Sequence, residues 1–173
     1  MAETLFTIEQ EYSVVLFAVL VQVAHYLLVG LGMRSVRTRL LTKEYLEQKF
    51  GRVHQEAFGK PIEAGGYPDN GEGRYVKGLG YPGWLDFNNA QRTHQQYKEW
   101  ILTTVVTTLI AGFFAPFVSA ILALVTTLGR IIYSIGYRTK GADGRLIGAI
   151  LHEVPVIIQL GYIFYGCFRI FYR

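Results

Sequence analysis

Arg92, Gln96 and Glu99 recur at i, i+4 and i+7, so on a helix they share one face. Arg130, Tyr133 and Tyr137 recur at i, i+3 and i+7 and do the same further along the chain. Both triplets border or interrupt apolar runs. A charged side chain inside a membrane is costly unless it is paired or lines a wet cavity. Two such stripes on neighbouring helices can pair with each other and fix helix register. They can also line a site for a small zwitterionic, anionic ligand. Guanidinium forks suit carboxylates, and Glu99 suits an ammonium.

Other chemistries find less support. The four histidines, His25, His54, His94 and His152, have no HxxxH spacing, so no metal site is expected. Cys167 is the single cysteine, which excludes an intrachain disulfide. Nothing beside it would lower its pKa, and it reads as a small packed residue. No GxSxG nucleophile motif occurs. GEGRYVKGLG superficially resembles a phosphate loop, but no strand precedes it and no helical pattern follows directly. Thr103, Thr104, Thr107, Thr108, Thr126 and Thr127 read as helix-packing residues that hydrogen-bond back to their own helix.

The elements that must carry the two stripes come from composition. Of 173 residues, 51% are hydrophobic and only 17% charged, and the mean hydropathy is +0.25. The apolar residues fall in blocks, the layout of an integral membrane protein. An all-α, four-helix membrane domain covering residues 1–173 is expected, with spans at 12–33, 87–113, 117–137 and 146–168. Gln22 and His25 interrupt the first span and should face other helices and hydrogen-bond there. Pro155 either kinks the fourth span or sits in its early turns. Residues 51–84 are rich in glycine, contain Pro61, Pro68 and Pro82, and read as one long loop with turns at Gly65-Gly66, Asn70-Gly71 and Pro82-Gly83. Loops of that length are functional, docked onto something, or disordered.

The net charge of +4 does not indicate nucleic acid. Of 17 Lys and Arg, 11 lie between Arg34 and Lys98, and Arg138, Lys140 and Arg145 add three more. None precedes the first apolar block, where Glu3, Glu9 and Glu11 sit. That asymmetry follows the positive-inside rule and puts the basic loops in the cytosol or its equivalent. No cleavable signal is expected, because the first block lacks a basic leader and is too long.

Two motifs carry a family resemblance. FNNAQRTHQQYKEW resembles the second-helix motif FN-x-x-QRAHQN-x-x-E of the MAPEG proteins (membrane-associated proteins in eicosanoid and glutathione metabolism). GRIIYSIGYRT resembles their third-helix motif GR-x-x-Y-x-x-GY-x-T. The Glu11-Tyr12 pair before the first span and Val23-Ala24-His25 within it resemble the type-three microsomal glutathione transferases in particular. The resemblance implies a homotrimer that holds glutathione as co-substrate between protomers, near the cytosolic membrane face. It implies glutathione binding by Arg92, Gln96, Glu99, Arg130, Tyr133 and Tyr137, and by Arg37 or Arg34 at the end of the first helix. It implies thiol activation by Arg145. The implied reactions are conjugation of the thiolate to an electrophilic lipid and reduction of lipid hydroperoxides, in an endoplasmic reticulum or mitochondrial membrane. Gln96 stands where the family has Asn, Lys98 where apolar residues are usual, and the linker before the second span is longer than in typical members. A structural role in a larger membrane complex, docked through residues 51–84, is the competing expectation. A third is a non-catalytic, lipid-presenting member.

Overall fold

The computed structural model describes residues 10–67 and 69–172, so Glu3, Glu9 and Pro68 lie outside the described residues. Among the described residues the chain is all helical, without strands. A short 3-10 turn, Gln10–Tyr12, leads into α1 (Ser13–Leu40). Then follow α2 (Lys43–Phe58), α3 (Arg74–Lys77), α4 (Gly80–Gly112) and α5 (Pro116–Lys140). A second 3-10 turn, Gly141–Arg145, joins α5 to α6 (Leu146–Phe171). The segments expected to span a membrane fall largely within α1, α4, α5 and α6. Two helical stretches are long and apolar enough to cross one: Gln10–Leu40, and Pro116–Phe171, which contains α5 and α6.

The expected loop over 51–84 is reduced to residues 59–73 and two short turns. Thr42 caps α2, its hydroxyl accepting from the Tyr45 amide at 3.3 Å. The helix then runs through Gly51 and stops at Gly59, whose φ of 66° is the left-handed conformation that ends helices. Leu46, Phe50, His54 and Phe58 stand four apart and give α2 one packing face. The Pro82-Gly83 turn is likewise absent. Pro82 lies in the first turn of α4, where its missing N–H costs nothing. Pro155 lies well inside α6.

The described residues fall into two compact units. One contains the described residues up to Leu27 together with those from Tyr97 onward; the other is Leu28–Gln96. The second has its own core, in which Met33, Val36, Leu41, Leu46, Ile62, Val76, Phe87 and Ala90 are buried.

In the first unit, buried polar groups tie helix to helix. Gln22 is buried and donates from Nε2 to the Ala123 carbonyl at 3.3 Å, as its place in an apolar span required. Gln159 is buried, accepts from the Thr107 and Thr108 hydroxyls at 3.3 Å, and donates to the Ser119 carbonyl at 3.1 Å. Thr104, Thr107 and Thr127 bond back to carbonyls three or four residues earlier, as expected. Gln159→Leu should lower stability by about 1–2 kcal/mol, because it strands the Thr108 hydroxyl and removes the cross-helix bond to the Ser119 carbonyl. Thermal unfolding in detergent measures this. Cys167, expected to be packed, is exposed instead, because α6 turns that face outward.

Candidate functional site

The buried face of α5 carries Ala123, Thr126, Thr127, Arg130, Tyr133 and Tyr137, a stripe of three- and four-residue steps. Arg130 is only 1% exposed, and its guanidinium carbon stands 4.8 Å over the Tyr97 ring. Tyr97 is itself held from α1. Its hydroxyl donates to the Gln22 carbonyl at 3.1 Å and lies 3.2 Å from His25 Nδ1. The Tyr26 ring meets it edge-on at 5.5 Å. His25 thus makes the helix-facing hydrogen bond its position called for.

One turn further along α5, the Tyr133 and Tyr137 rings lie 5.7 Å apart. Arg145, the N-cap residue of α6, holds its guanidinium carbon 5.9 Å over Tyr137 and also faces the Tyr133 phenol. Burial leaves Tyr133 and Tyr137 4% and 8% exposed, while Arg145 is exposed. Glycines allow this closeness. A Cβ on Gly148 would meet the Tyr133 backbone nitrogen at 2.2 Å, and a Cβ on Gly136 the Gly144 carbonyl oxygen at 2.0 Å. Arg130, Tyr133, Tyr137 and Arg145, grouped from sequence, are therefore gathered along α5 and the start of α6.

Glu99 lies on the exposed face of α4, near enough, with Glu153, to act on the Arg130 charge. Arg92 is exposed and Gln96 half-buried, and both belong to the second unit. Sequence reasoning missed three neighbours. Tyr97 underlies Arg130. His152 is fully buried, 5.8 Å from Tyr133 and 5.6 Å from Trp100. The third is Trp100 itself. Tyr97 had a signal: Thr93, Tyr97, Thr104, Thr108 and Ala111 make the buried stripe of α4, one residue round from Gln96.

Arg37 lies where the linker uses it. Its guanidinium donates to the Gly65 carbonyl at 2.8 Å, the Asp69 carbonyl at 2.9 Å and the Tyr67 carbonyl, with the Asp69 carboxylate 3.8 Å away and the Phe87 ring at 5.4 Å. Its fork thus spans residues 65–69. Arg34, one turn earlier, is exposed. Deeper in this unit, the Tyr75 hydroxyl lies 2.8 Å from His54 Nδ1, and the Tyr45 hydroxyl donates to the Tyr75 carbonyl at 3.0 Å. Burial raises both phenols above the ordinary tyrosine value, and Asp69 raises Tyr75 further. Both remain protonated at neutral pH.

Arg37→Ala should therefore loosen residues 59–73 by about 2–4 kcal/mol, since charged hydrogen bonds to three carbonyls are lost together. Hydrogen exchange over that segment reads the change. Arg37→Lys should recover only part of it, because an ammonium cannot match the planar fork. Protection unaltered in Arg37→Ala would show that the linker holds itself.

Among the described residues no group of three or more His, Cys, Asp or Glu could hold a metal ion. No curated protein matches this chain. The family model described as MAPEG family matches residues 14–165, which is most of the chain and includes both motif-bearing helices, and the protein belongs to the MAPEG family.

Proposed function

We propose that this protein is a membrane-bound glutathione transferase and lipid hydroperoxide peroxidase of the type-three microsomal kind. The observation that carries the reading is Arg145 at the N-cap of α6, over Tyr137 and facing Tyr133, with Arg130 buried further along α5. An exposed guanidinium at a helix N-terminus supplies a local positive field. Such a field favours thiolate over thiol, which is the chemistry glutathione needs before it attacks an electrophile. Glutathione carries two carboxylates and one ammonium. Arg92, Arg130 and Arg34 suit the carboxylates, and Glu99 suits the ammonium. Of the two first-helix arginines, Arg34 is the better candidate here, because Arg37 is engaged by residues 65–69. Gln96 takes the place of the family's Asn with one more methylene. On this reading the protein is a homotrimer in the endoplasmic reticulum or mitochondrial membrane. A calorimetric titration of the purified full-length protein with glutathione tests it. Saturable binding near physiological glutathione concentrations is expected, and absence of binding overturns the proposal.

A second reading has its own support. Leu28–Gln96 is a folded unit with exposed apolar side chains at Val53, Phe58, Tyr67 and Tyr81. Exposed apolar groups of this kind mark contact surfaces, which fits a non-catalytic subunit of a larger membrane complex. Extraction in mild detergent separates the two readings. A free trimer with glutathione bound supports the enzyme, and a stable hetero-complex without glutathione binding supports the subunit.

A further inference from the structure

A cavity of about 410 Å³ opens in the first unit between the end of α4 and the last turns of α6, in a part of the fold that the proposed glutathione chemistry does not use. Phe113 and Phe114 form one side, Tyr162 and Tyr165 the other, and Arg169 stands at its edge. Gly166 forms the floor, so close to Phe114 that a Cβ there would meet the ring at 2.3 Å. The Arg169 guanidinium carbon lies 5.9 Å over the Tyr165 ring.

Three facts narrow the occupant. First, the walls are aromatic and outward-facing: Phe113 is 73% and Tyr165 62% exposed. Second, neither the Arg169 guanidinium nor the Tyr162 and Tyr165 hydroxyls make a hydrogen bond among the described residues, so the aromatic cavity is edged by unspent donors. Third, Arg169 sits in the last turn of an apolar helix and Arg145 caps its first. Their separation along the axis is about 36 Å, more than the hydrocarbon thickness of roughly 30 Å. Arg169 and its tyrosines therefore fall at headgroup level in the leaflet opposite Arg145, where aromatic rings and snorkelling arginines belong.

We propose that this cavity binds one glycerophospholipid, its phosphate held by Arg169 with the Tyr162 and Tyr165 phenols, and the start of an acyl chain laid against Phe113 and Phe114. The cavity is too small for a whole phospholipid. It takes the glycerophosphate and the first methylenes, and the remainder lies in the bilayer. Arg169 favours anionic headgroups by its positive charge, and among the described residues no carboxylate on the second half of α6 opposes it.

Native mass spectrometry of the full-length protein in mild detergent, titrated with a dioleoyl phosphatidylglycerol and separately with inorganic phosphate, tests this. The first lipid should bind Arg169→Gln about fivefold more weakly than wild type, the effect of one interfacial arginine. Arg138→Gln, which removes an exposed charge at the other end of α5, should bind as wild type. Tyr165→Leu supplies an independent variant and should also weaken the first lipid. Equal lipid affinity in Arg169→Gln, Tyr165→Leu and Arg138→Gln would reduce the contact to ordinary annular lipid and overturn the proposal. So would binding of inorganic phosphate in place of the lipid, or a lipid-free oligomer in which a second copy covers the cavity.

Discussion

Arg145→Ala is expected to cut glutathione-dependent turnover at neutral pH by about ten- to thirtyfold, while glutathione still binds. The proposed function gives Arg145 one task, to favour the thiolate. A guanidinium within a few ångströms lowers the pKa of a group by one to three units, and the helix N-terminus adds to the same field. Without it the thiol returns toward its ordinary pKa of about 8.5, and a small fraction is ionised at pH 7. The pH profile decides the matter. Wild-type rate should plateau near neutral pH, whereas Arg145→Ala should climb through pH 8–9 as hydroxide does the work of the lost charge. Arg145→Lys should fall between them, since it keeps the charge and loses the fork. The thiolate absorbance near 240 nm gives a reading independent of turnover. Full activity with an unshifted profile would remove Arg145 from the mechanism. A raised KM for glutathione with unchanged kcat would make it a carboxylate ligand.

The helical architecture was legible because it rests on two simple signals, apolar blocks long enough to bury and polar positions repeating at helical spacing. Arg130, Tyr133 and Tyr137 could be grouped because they lie on one helix, where spacing fixes the face. What escaped depends on contacts between distant residues. Nothing in spacing says that Arg130 rests on Tyr97 or that His152 lies against Tyr133. The glycines and prolines of residues 51–84 suggest a loop from Gly51 onward, whereas capping at Thr42 and packing of Leu46 and His54 carry α2 through that glycine at modest cost. Arg37 shows the limit most plainly. Its partners are three backbone carbonyls of residues 65–69, and backbone acceptors carry no sequence signature. Spacing could place this arginine at the end of an apolar helix but could not say that a linker occupies its fork.

Gly148→Val is expected to damage stability and activity together, although glycine contributes no chemistry. Its Cβ would fall 2.2 Å from the Tyr133 nitrogen and 2.4 Å from the Tyr133 Cα. These are backbone atoms of a buried helix and cannot rotate aside. A flexible side chain yields cheaply; here α5 and α6 would have to separate. Close helix contacts of this sort depend on small residues, because dispersion and packing hold membrane helices together. Overpacking of ordinary cores costs about 1–3 kcal/mol, and a backbone clash belongs at or above the upper end. The consequence reaches the candidate site directly. Arg145 stands three residues before Gly148, and its position over Tyr137 requires α5 and α6 in contact. Gly148→Val should therefore lower the thermal midpoint in detergent by several degrees and lose activity together with it. Gly161→Ala is the matching control. It lies on the same helix with nothing within 4 Å of its Cβ, so it should be neutral or gain up to about 1 kcal/mol from helix propensity. A Gly148→Val protein as stable as wild type would mean that α5 and α6 can part without loss. The placement of Arg145 against the two tyrosines would then need another cause.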